Sequence, residues 1–332
     1  MNILVTGGAG YIGSHAVRQL RRAGHEVVVI DNLHRGHRSA VPSDVVLEVL
    51  DIRQTELVRK VLERHAIDGV MHFAALALVG ESMQQPLLYY RNNTGGSACL
   101  LAAMDQAGVK KMVFSSTAAV YGQPATMPIT EQAPTCPVNP YGRSKLFVER
   151  MLQDHANARK DFAFAALRYF NVAGCAADKS LGEDHHPETH LIPVMLNAAL
   201  GKLEKLTIYG EDYPTPDSTC IRDYIHVEDL VAAHITVMES LQDGQQRTYN
   251  LGVGKGLSVR ELVGAAKRVT GVDFPIEVGP RRMGDPPQLY ADPTLIRKEL
   301  GWEAKVTDID QIVASAWRWF RENPKGYGES KK

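Results

Sequence analysis

The chain has 332 residues, 44% of them hydrophobic, and a formal net charge of −1 because 37 basic side chains nearly balance 38 acidic ones. Interspersed charges of both signs argue against a nucleic-acid or anionic-membrane partner. No stretch approaches about 18 consecutive apolar residues, and the first residues enter a predicted strand directly, so we expect neither a membrane span nor a leader. The chain is longer than one typical domain, so we expect a first domain and a second region.

The cysteines and histidines match no metal or disulfide spacing. Four cysteines are far apart in the chain: Cys99, Cys136, Cys175 and Cys220. We expect reduced thiols and therefore a cytoplasmic chain. His185, His186 and His190 could suggest a metal, but with no matching ligand group around them the prediction is a polar loop and no metal.

The first element is an apolar run, Ile3–Val5, that is typical of a strand buried on both faces. Gly7, Gly10 and Gly13 follow, and residues 14–23 have the amphipathic pattern of a helix. A strand, a glycine turn and a helix place backbone N–H groups and the positive helix end where a pyrophosphate can bind. The alternative is a glycine-tightened turn that binds nothing.

The second predicted strand, Glu26–Asp31, ends in a carboxylate 18 residues after Gly13. A ribose-binding acid is expected at about this distance in a Rossmann unit. Strands and helices continue to alternate, which predicts a doubly wound parallel sheet. The third strand, residues 46–50, is followed by Asp51 and Ile52, which we expect to line an adenine pocket.

Two further segments of this half carry predictions. Residues 55–65 form a predicted amphipathic helix with Leu57, Val58, Val61 and Leu62 facing inward. Residues 70–75 form a fourth strand whose last residues, Phe73, Ala74 and Ala75, are expected near the cofactor. A long helix follows Pro86, and its glycines at 95 and 96 predict close packing against a neighbour, because each costs on the order of 1 kcal/mol relative to alanine.

The fifth predicted strand, residues 111–117, ends in the hydroxyls of Ser115, Ser116 and Thr117. Ligands of open α/β sheets bind outside such carboxyl ends. Tyr141 and Lys145 follow, and on a helix they would share one face about 6 Å apart along the axis. A phenol is a poor base at pH 7, but a nearby ammonium and a cationic nicotinamide favour the phenolate. In this context the pair predicts tyrosine-based hydride chemistry.

In the second half of the chain, predicted strands and helices alternate less regularly. A sixth strand, residues 162–171, ends in Asn171, and residues 248–251 are expected to return to the main sheet. Residues 222–230 lead into a predicted helix that ends at about Ser240, and further helices are predicted near 259–269, 293–300 and 309–321. Arg222 and Arg282 lie at junctions between loops and elements, where arginines suit bidentate phosphate binding, with surface salt bridges as the alternative.

The segments 5–15, 114–122, 168–171, 222–227 and 280–285 resemble those of the UDP-glucose 4-epimerases, a group of extended short-chain dehydrogenases/reductases. The resemblance covers essentially the whole chain, to residues 317–319. It implies a Rossmann-type NAD-binding domain (1–172 plus about 223–250) and a smaller, interleaved α/β domain for a UDP-hexose (about 173–222 plus 251–332). It also implies a homodimer formed by the helices near 92–106 and 145–156.

The resemblance also implies roles for residues. The implied catalytic residues are Thr117, Tyr141 and Lys145. The implied NAD-binding residues are Gly7, Gly10, Tyr11, Ile12, Gly13, Asp31, Asn32, Asp51, Ile52, Phe73, Ala74, Ala75, Asn92, Ser115, Tyr141, Lys145 and Tyr169. The implied substrate-binding residues are Thr117, Tyr141, Asn171, His190, Leu191, Tyr209, Arg222, Tyr224, Arg282, Asp285 and Leu289. The implied reaction is reversible 4-epimerisation of UDP-galactose and UDP-glucose through a 4-keto intermediate.

Three positions depart from the pattern of this group. Ala77 stands where many members have a lysine that reaches the cofactor, and His190 stands where an asparagine commonly meets the nucleotide. Leu289 replaces a tyrosine of glucose-restricted members, which leaves turnover of UDP-N-acetylhexosamines open. Ala118 and Ala119 stand where the related 4,6-dehydratases have an Asp-Glu pair, which argues against dehydration, and a glutamate common in UDP-glucuronate decarboxylases is absent too. A non-catalytic NAD-binding regulator is the remaining alternative, but such proteins often lack the Tyr/Lys pair.

Overall fold

A computed structural model of the chain describes residues 1–282 and 285–328. The strands of this part are β1 (Asn2–Thr6), β2 (Glu26–Asp31), β3 (Val46–Val49), β4 (Gly69–His72), β5 (Lys111–Ser115), β6 (Ala163–Tyr169), β7 (Asn171–Ala173), β8 (Leu206–Tyr209), β9 (Ile221–Arg222), β10 (Tyr224–His226), β11 (Gln246–Leu251), β12 (Leu257–Ser258), β13 (Ile276–Gly279) and β14 (Gln288–Leu289). The helices are α1 (Tyr11–Arg22), α2 (Thr55–Arg64), α3 (Val79–Gln84), α4 (Pro86–Tyr89), α5 (Gly96–Ala107), α6 (Pro140–Ala158), α7 (Leu191–Ala199), α8 (Val227–Ser240), α9 (Val259–Thr270), α10 (Thr294–Leu300) and α11 (Ile309–Glu322).

Seven strands form the central sheet in the order β11-β6-β5-β4-β1-β2-β3. Every neighbouring pair in it is parallel. The chain winds outward from β1 in both directions, and β11 returns to pair with β6 as the sequence predicts. The predicted fold class, a Rossmann-type doubly wound parallel sheet, is confirmed.

Both faces of the sheet are covered by helices, so its strands read as continuous apolar runs. Ile3 and Val5 point into one core together with residues of α1 and α8. Leu4 points into the other, together with residues of α2, α5 and α6. The inward face of α2 differs from the prediction at one position: Leu57 is 46% exposed, whereas Val58 is buried. Adjacent helical residues are about 100° apart around the axis, which turns Leu57 outward.

Several predicted strands end earlier than expected. β4 ends at His72, β5 at Ser115 and β6 at Tyr169. The residues that follow leave the parallel ladder at its carboxyl edge and line a cleft instead. Residues 171–173 form β7, which pairs with β10 in a separate small sheet. The helix α1 also begins at Tyr11, three residues before the predicted start, with Gly10 as its N-cap.

The helix after Pro86 is continuous to Ala107, but its turn over Tyr90–Gly95 is π-helical. A Cβ atom on Gly96 would lie 3.0 Å from Ile52 Cδ1, so the predicted close packing is found at this glycine. A Cβ atom on Gly95 would meet only the Tyr90 carbonyl oxygen at 3.7 Å, so no such approach exists there. Nowhere in residues 1–282 and 285–328 is a helix both long and apolar enough to cross a membrane.

The second region has its own apolar core, formed mainly by α7, α9, α11 and β8. Two small sheets, β8–β13 and β12-β9-β14, lie beside it. The sequence did not predict β8, β13 or β14, which are only two to four residues long. Ile296 of α10 packs into the core of the first region. The division at residues 172, 223 and 250 remains a prediction, and this contact would group α10 with the first domain.

Candidate active site

One cleft of about 1380 Å³ runs along the carboxyl edge of the central sheet and onto the second region. It brings together all the predicted site residues, namely Gly7, Gly10, Tyr11, Ile12, Gly13, Asp31, Asn32, Asp51, Ile52, Phe73, Ala74, Ala75, Asn92, Ser115, Thr117, Tyr141, Lys145, Tyr169, Asn171, His190, Leu191, Tyr209, Arg222, Tyr224, Arg282, Asp285 and Leu289. Open α/β sheets bind ligands at this edge. The location supports the predicted roles, which the contacts below develop.

The glycine turn between β1 and α1 has no room for side chains. Gly7 has a φ of +74°, and a Cβ on it would lie 2.6 Å from the Ala74 backbone nitrogen. A Cβ on Gly13 would lie 2.1 Å from the Gly7 carbonyl oxygen. Since the first turn of α1 has no acidic side chain, its free N–H groups and positive end can receive a pyrophosphate. The turn therefore fits a dinucleotide cofactor.

Asp31 lies at the end of β2 and is almost fully buried. The backbone N–H groups of Ala9 and Leu33 donate to its two carboxylate oxygens at 3.0 and 2.8 Å. Burial raises the pKa of Asp31, and these two N–H groups act in the opposite direction. A carboxylate has about four acceptor positions, so Asp31 can still accept hydrogen bonds from a ribose.

The part of the cleft that follows β2 and β3 carries a hydrogen-bonded chain of three side chains. Asn32 donates to Asp51 at 3.1 Å, and Arg53 donates to the same carboxylate through Nε and Nη2 at 2.8 and 2.7 Å. The hydrogen bonds from Arg53 lower the pKa of Asp51 to about 2. Asp51 is therefore ionised at neutral pH, and its position is set by Arg53.

Tyr141 and Lys145 lie on the first turns of α6, and both are buried. The helix starts with Pro140, and the Asn139 side chain caps it by accepting from the Gly142 N–H at 2.8 Å. Lys145 Nζ donates to the Ser115 carbonyl oxygen at 2.8 Å. Thr117 begins a short 3₁₀ turn after β5 and accepts from the Ala119 N–H at 3.1 Å.

Burial changes the acid–base properties of this pair. It raises the pKa of Tyr141, with the Thr117 side chain acting in the opposite direction. It lowers the pKa of Lys145 to about 7, although Glu149 opposes the change. Without a cofactor, the protein therefore favours a neutral Tyr141 phenol. The pKa of Lys145, about 7, lies close to neutral pH. Additional positive charge is needed to make Tyr141 a phenolate.

Three residues that support this pair had no assigned role from the sequence. Asn93 accepts from the Leu76 N–H at 2.8 Å and donates to Ser144 Oγ at 3.0 Å, which joins the loop after β4 to α6. Glu149, four residues after Lys145, forms a buried ion pair with Arg168 at 2.6 Å. The sequence signal for this ion pair is Arg168, a single charge in the apolar segment 162–170.

The far end of the cleft is basic and aromatic. The Arg222 guanidinium lies 3.6 Å from the Asp285 carboxylate, and Arg282 stacks over the Tyr209 ring at 4.0 Å. The sequence left two roles open for Arg222, phosphate binding and a surface salt bridge. Arg222 has a salt-bridge partner and also lines the cleft, so the structure is compatible with both. Met283 and Gly284 of the predicted basic turn lie outside the described residues.

The segment before α7 differs from the polar loop that the sequence predicts. Glu183 and Glu188 surround His185 and His190, although no ligand group was expected there. Glu183 is buried, and it contacts both imidazoles through Oε1. Burial alone would lower the pKa of His190, but the Glu183 carboxylate raises it. Glu183 and Glu188 line the cleft, and neither was predicted to do so.

A Rossmann sheet, a dinucleotide turn and a Tyr-x-x-x-Lys pair behind a hydroxyl-tipped strand define a nicotinamide-dependent enzyme of the short-chain dehydrogenase/reductase type. Residues 3–252 match the model of the NAD dependent epimerase/dehydratase family. The chain belongs to this family, as the sequence resemblance predicted, and its cofactor is NAD.

Individual relatives agree over the full length. The chain is 50% identical to a UDP-glucose 4-epimerase of Lacticaseibacillus casei over 99% of both chains. It superposes on the UDP-glucose 4-epimerase of Bifidobacterium longum in complex with NAD⁺ and UDP with a TM-score of 0.94 and 40% identity, covering 98% of this chain and 100% of that one. It is also similar to the UDP-Glc/GlcNAc 4-epimerase of Campylobacter jejuni, with a TM-score of 0.84 and 43% identity over 97% and 99%.

Proposed function

We propose that the chain catalyses the reversible 4-epimerisation of UDP-galactose and UDP-glucose through a transient 4-keto sugar. The observation that carries this proposal is that Thr117, Tyr141 and Lys145 line one cleft. The dinucleotide turn lines the same cleft, and so do Arg222 and Arg282. A sugar anchored there through its diphosphate would present its ring to the tyrosine.

The residues have distinct tasks in this reaction. Tyr141 removes the proton from the sugar 4-hydroxyl and later returns it. Thr117 hydrogen-bonds the same oxygen, and Lys145, held by the Ser115 carbonyl, favours the phenolate. When bound, NAD supplies the acceptor for the hydride that leaves C4 of the sugar, and it supplies a positive charge near Tyr141. Arg222 and Arg282 hold the diphosphate while the keto sugar turns its other face toward the cofactor.

The same cleft argues against the neighbouring activities. Elimination in the dehydratases calls for an added acid and base beside the catalytic hydroxyl, but Ala118 and Ala119 occupy those positions. A purely regulatory NAD-binding protein would have no need for Tyr141 and Lys145, both buried and both turned toward the cleft. Incubating the purified chain with UDP-galactose and identifying the product by ¹H NMR tests the proposal. We expect UDP-glucose at equilibrium with the substrate, and a 4-keto-6-deoxy product or no product would contradict the proposal.

A second substrate pair is favoured by Leu289. This residue packs at the edge of an apolar cluster with Ala118, Val120 and Leu146, and it lines the same cleft as Thr117. Leucine leaves more space beside the sugar than tyrosine but less than serine. We therefore propose measurable turnover of the UDP-N-acetylhexosamine pair, with UDP-galactose and UDP-glucose preferred.

We also propose a cytoplasmic homodimer. Leu87 is 80% exposed and Phe147 is 42% exposed, and the Phe147 ring lies 5.9 Å from that of Tyr90. Phe147 lies on α6 within the predicted dimer helix near 145–156, and Leu87 lies on α4 just before the one near 92–106. Burying these apolar side chains against a second copy removes them from water. The free state of the four cysteines supports a reducing compartment. Sedimentation analysis tests the dimer: a Leu87→Lys/Phe147→Lys variant should be monomeric, and a monomeric wild type would overturn the proposal.

A further inference from the structure

Four side chains in the segment before α7 converge on one point. Glu183, His185, Glu188 and His190 each offer one ligand atom, and these atoms all lie within 4.8 Å of one another. His185 Nδ1 is 3.1 Å from Glu183 Oε1 and 3.8 Å from Glu188 Oε2. His190 Nδ1 is 3.9 Å from Glu188 Oε1 and in direct contact with Glu183 Oε1. We propose that these residues form a binding site for one divalent transition-metal ion, with zinc as the best match.

The spacing of the donors agrees with a four-coordinate ion. Zinc binds imidazole nitrogen and carboxylate oxygen at about 2.0–2.2 Å, so neighbouring ligand atoms of a tetrahedron lie about 3.4 Å apart. Three of the four distances between the two imidazole nitrogens and the carboxylates, 3.1, 3.8 and 3.9 Å, scatter around this value. The fourth, the direct contact of His190 Nδ1 with Glu183 Oε1, would lengthen when an ion enters. Small side-chain movements would place an ion at the centre of the four atoms.

The surroundings also favour a cation at this point. The Glu183 side chain is only 4% exposed and that of Glu188 is 14% exposed, so two carboxylates are withdrawn from water within one small cluster. The imidazole Nδ1 of His185 is buried and lies 3.1 Å from Glu183 Oε1, but not at the angle of a hydrogen bond. Buried charge requires a partner, and a buried nitrogen without a hydrogen bond is costly. A dication would neutralise both carboxylates and bind this nitrogen.

The donor set decides which metal is preferred. Two imidazoles and two carboxylates suit zinc and its first-row neighbours, whereas Mg²⁺ and Ca²⁺ prefer oxygen ligands alone. The Tyr11 ring packs edge-on against His185 with its centroid 6.3 Å away, and its hydroxyl donates to the Gly174 carbonyl oxygen at 2.6 Å. This contact holds the His185 ring against the first residue of α1.

An ion here would act on the loop that leads into α7. It would cross-link both ends of the segment 183–190, which lines the cleft immediately before Leu191. A metal on His190 Nδ1 also leaves Nε2 to carry the hydrogen, so His190 would remain a donor. The site would thus be a structural metal centre at the edge of the cleft.

The test measures zinc binding directly. The full chain, saturated with NAD and carrying no histidine tag, is freed of metal by chelation and titrated with Zn²⁺. We expect one zinc per chain by elemental analysis after gel filtration, a higher Tm, and the visible spectrum of four-coordinate Co²⁺ when cobalt replaces zinc. Mg²⁺ should produce none of these effects. Failure of epimerase activity would not bear on this result, because no readout depends on turnover.

His185→Ala should weaken zinc binding by more than about tenfold, since even residues outside a ligand set commonly change affinity by 10- to 100-fold. Glu183→Gln should do the same, and His185→Ala keeps the test valid if the buried Glu183 variant does not fold. His186→Ala is the matched control, because the exposed imidazole of His186 is hydrogen-bonded to the His185 carbonyl oxygen and is not one of the four. A wild type that retains no zinc, or equal binding by His185→Ala, would overturn the proposal.

Discussion

Lys145 Nζ lies 2.8 Å from the carbonyl oxygen of Ser115, which ties the first turns of α6 to the last residue of β5. The nearest carboxylate along the helix, Glu149, has Arg168 as its own partner. Lys145 is therefore a buried amine held by a neutral acceptor, and burial lowers its pKa to about 7. In the proposed reaction such a group serves catalysis at the expense of folding stability.

We predict that Lys145→Met abolishes most of the activity but stabilises the NAD-free protein at pH 7. The unfolded lysine has a pKa of 10.5 and the folded one about 7, so its destabilising effect is full below pH 7 and disappears as the pH rises to 10.5. Each pKa unit corresponds to about 1.4 kcal/mol, so we expect a gain on the order of a few kcal/mol at pH 7. Urea unfolding at pH 7 and pH 10 measures it.

The exposed Lys160 provides the control for this experiment, because Lys160→Met should change neither activity nor the pH dependence of stability. A Lys145→Met protein that is less stable than the wild type at pH 7 would contradict the prediction. It would show that the contacts of the buried ammonium outweigh the cost of removing it from water.

Tyr141→Phe should leave the fold intact and reduce kcat by about 10²- to 10⁴-fold, because the ring stays and the ionisable oxygen is lost. Thr117→Val should cause a smaller loss, since it removes a hydrogen bond but no proton transfer. Tyr90→Phe, outside the cleft, should behave as the wild type. Near-normal turnover by Tyr141→Phe would rule out this residue as the base.

Cofactor choice should depend on Asp31. Its carboxylate favours the 2′-hydroxyl of NAD and repels the 2′-phosphate of NADP. Asp31→Asn keeps one acceptor for the backbone N–H groups of Ala9 and Leu33 while removing the charge. We expect the affinity ratio of NAD to NADP to fall, measured by fluorescence titration of both reduced cofactors. An unchanged ratio would mean that the charge of Asp31 does not select the cofactor.

The sequence was sufficient to predict strands and site residues wherever the local pattern and the tertiary structure agree. Glu26–Asp31 was predicted to the residue, since a strand covered on both faces reads as an unbroken apolar run. Tyr141 and Lys145 were predicted together because their spacing follows a Rossmann half and a hydroxyl-tipped strand, and both line the cleft. The glycine turn was equally clear, because Gly7 and Gly13 occupy places where a Cβ would clash with backbone.

Features that depend on distant contacts were not predicted. The short strands β8, β13 and β14 form only because partners far along the chain complete their sheets. The four-residue cluster around Glu183 read as a polar loop, since nothing in the spacing of its residues shows that their side chains converge. The pKa of Lys145 likewise follows from burial under the completed fold.

The specificity for the sugar of the substrate should depend on the side chain at position 289. Leu289→Tyr fills space beside the ring and should lower kcat/KM for the UDP-N-acetylhexosamines much more than for UDP-galactose. Packing differences of one side chain are worth about 1–3 kcal/mol, which corresponds to roughly 10- to 200-fold in specificity. Measuring kcat/KM for both substrates in both proteins decides it. An unchanged ratio would show that this side chain does not limit the pocket.

The central claim is that the hydrogen on C4 leaves and returns within one active site while Tyr141 handles only the hydroxyl proton. Incubating the purified chain with UDP-galactose deuterated at C4, in ordinary water, tests this most directly. We predict UDP-glucose that retains the deuterium at C4, with no net accumulation of NADH. Loss of the deuterium to solvent, or NADH formed in proportion to product, would contradict the mechanism.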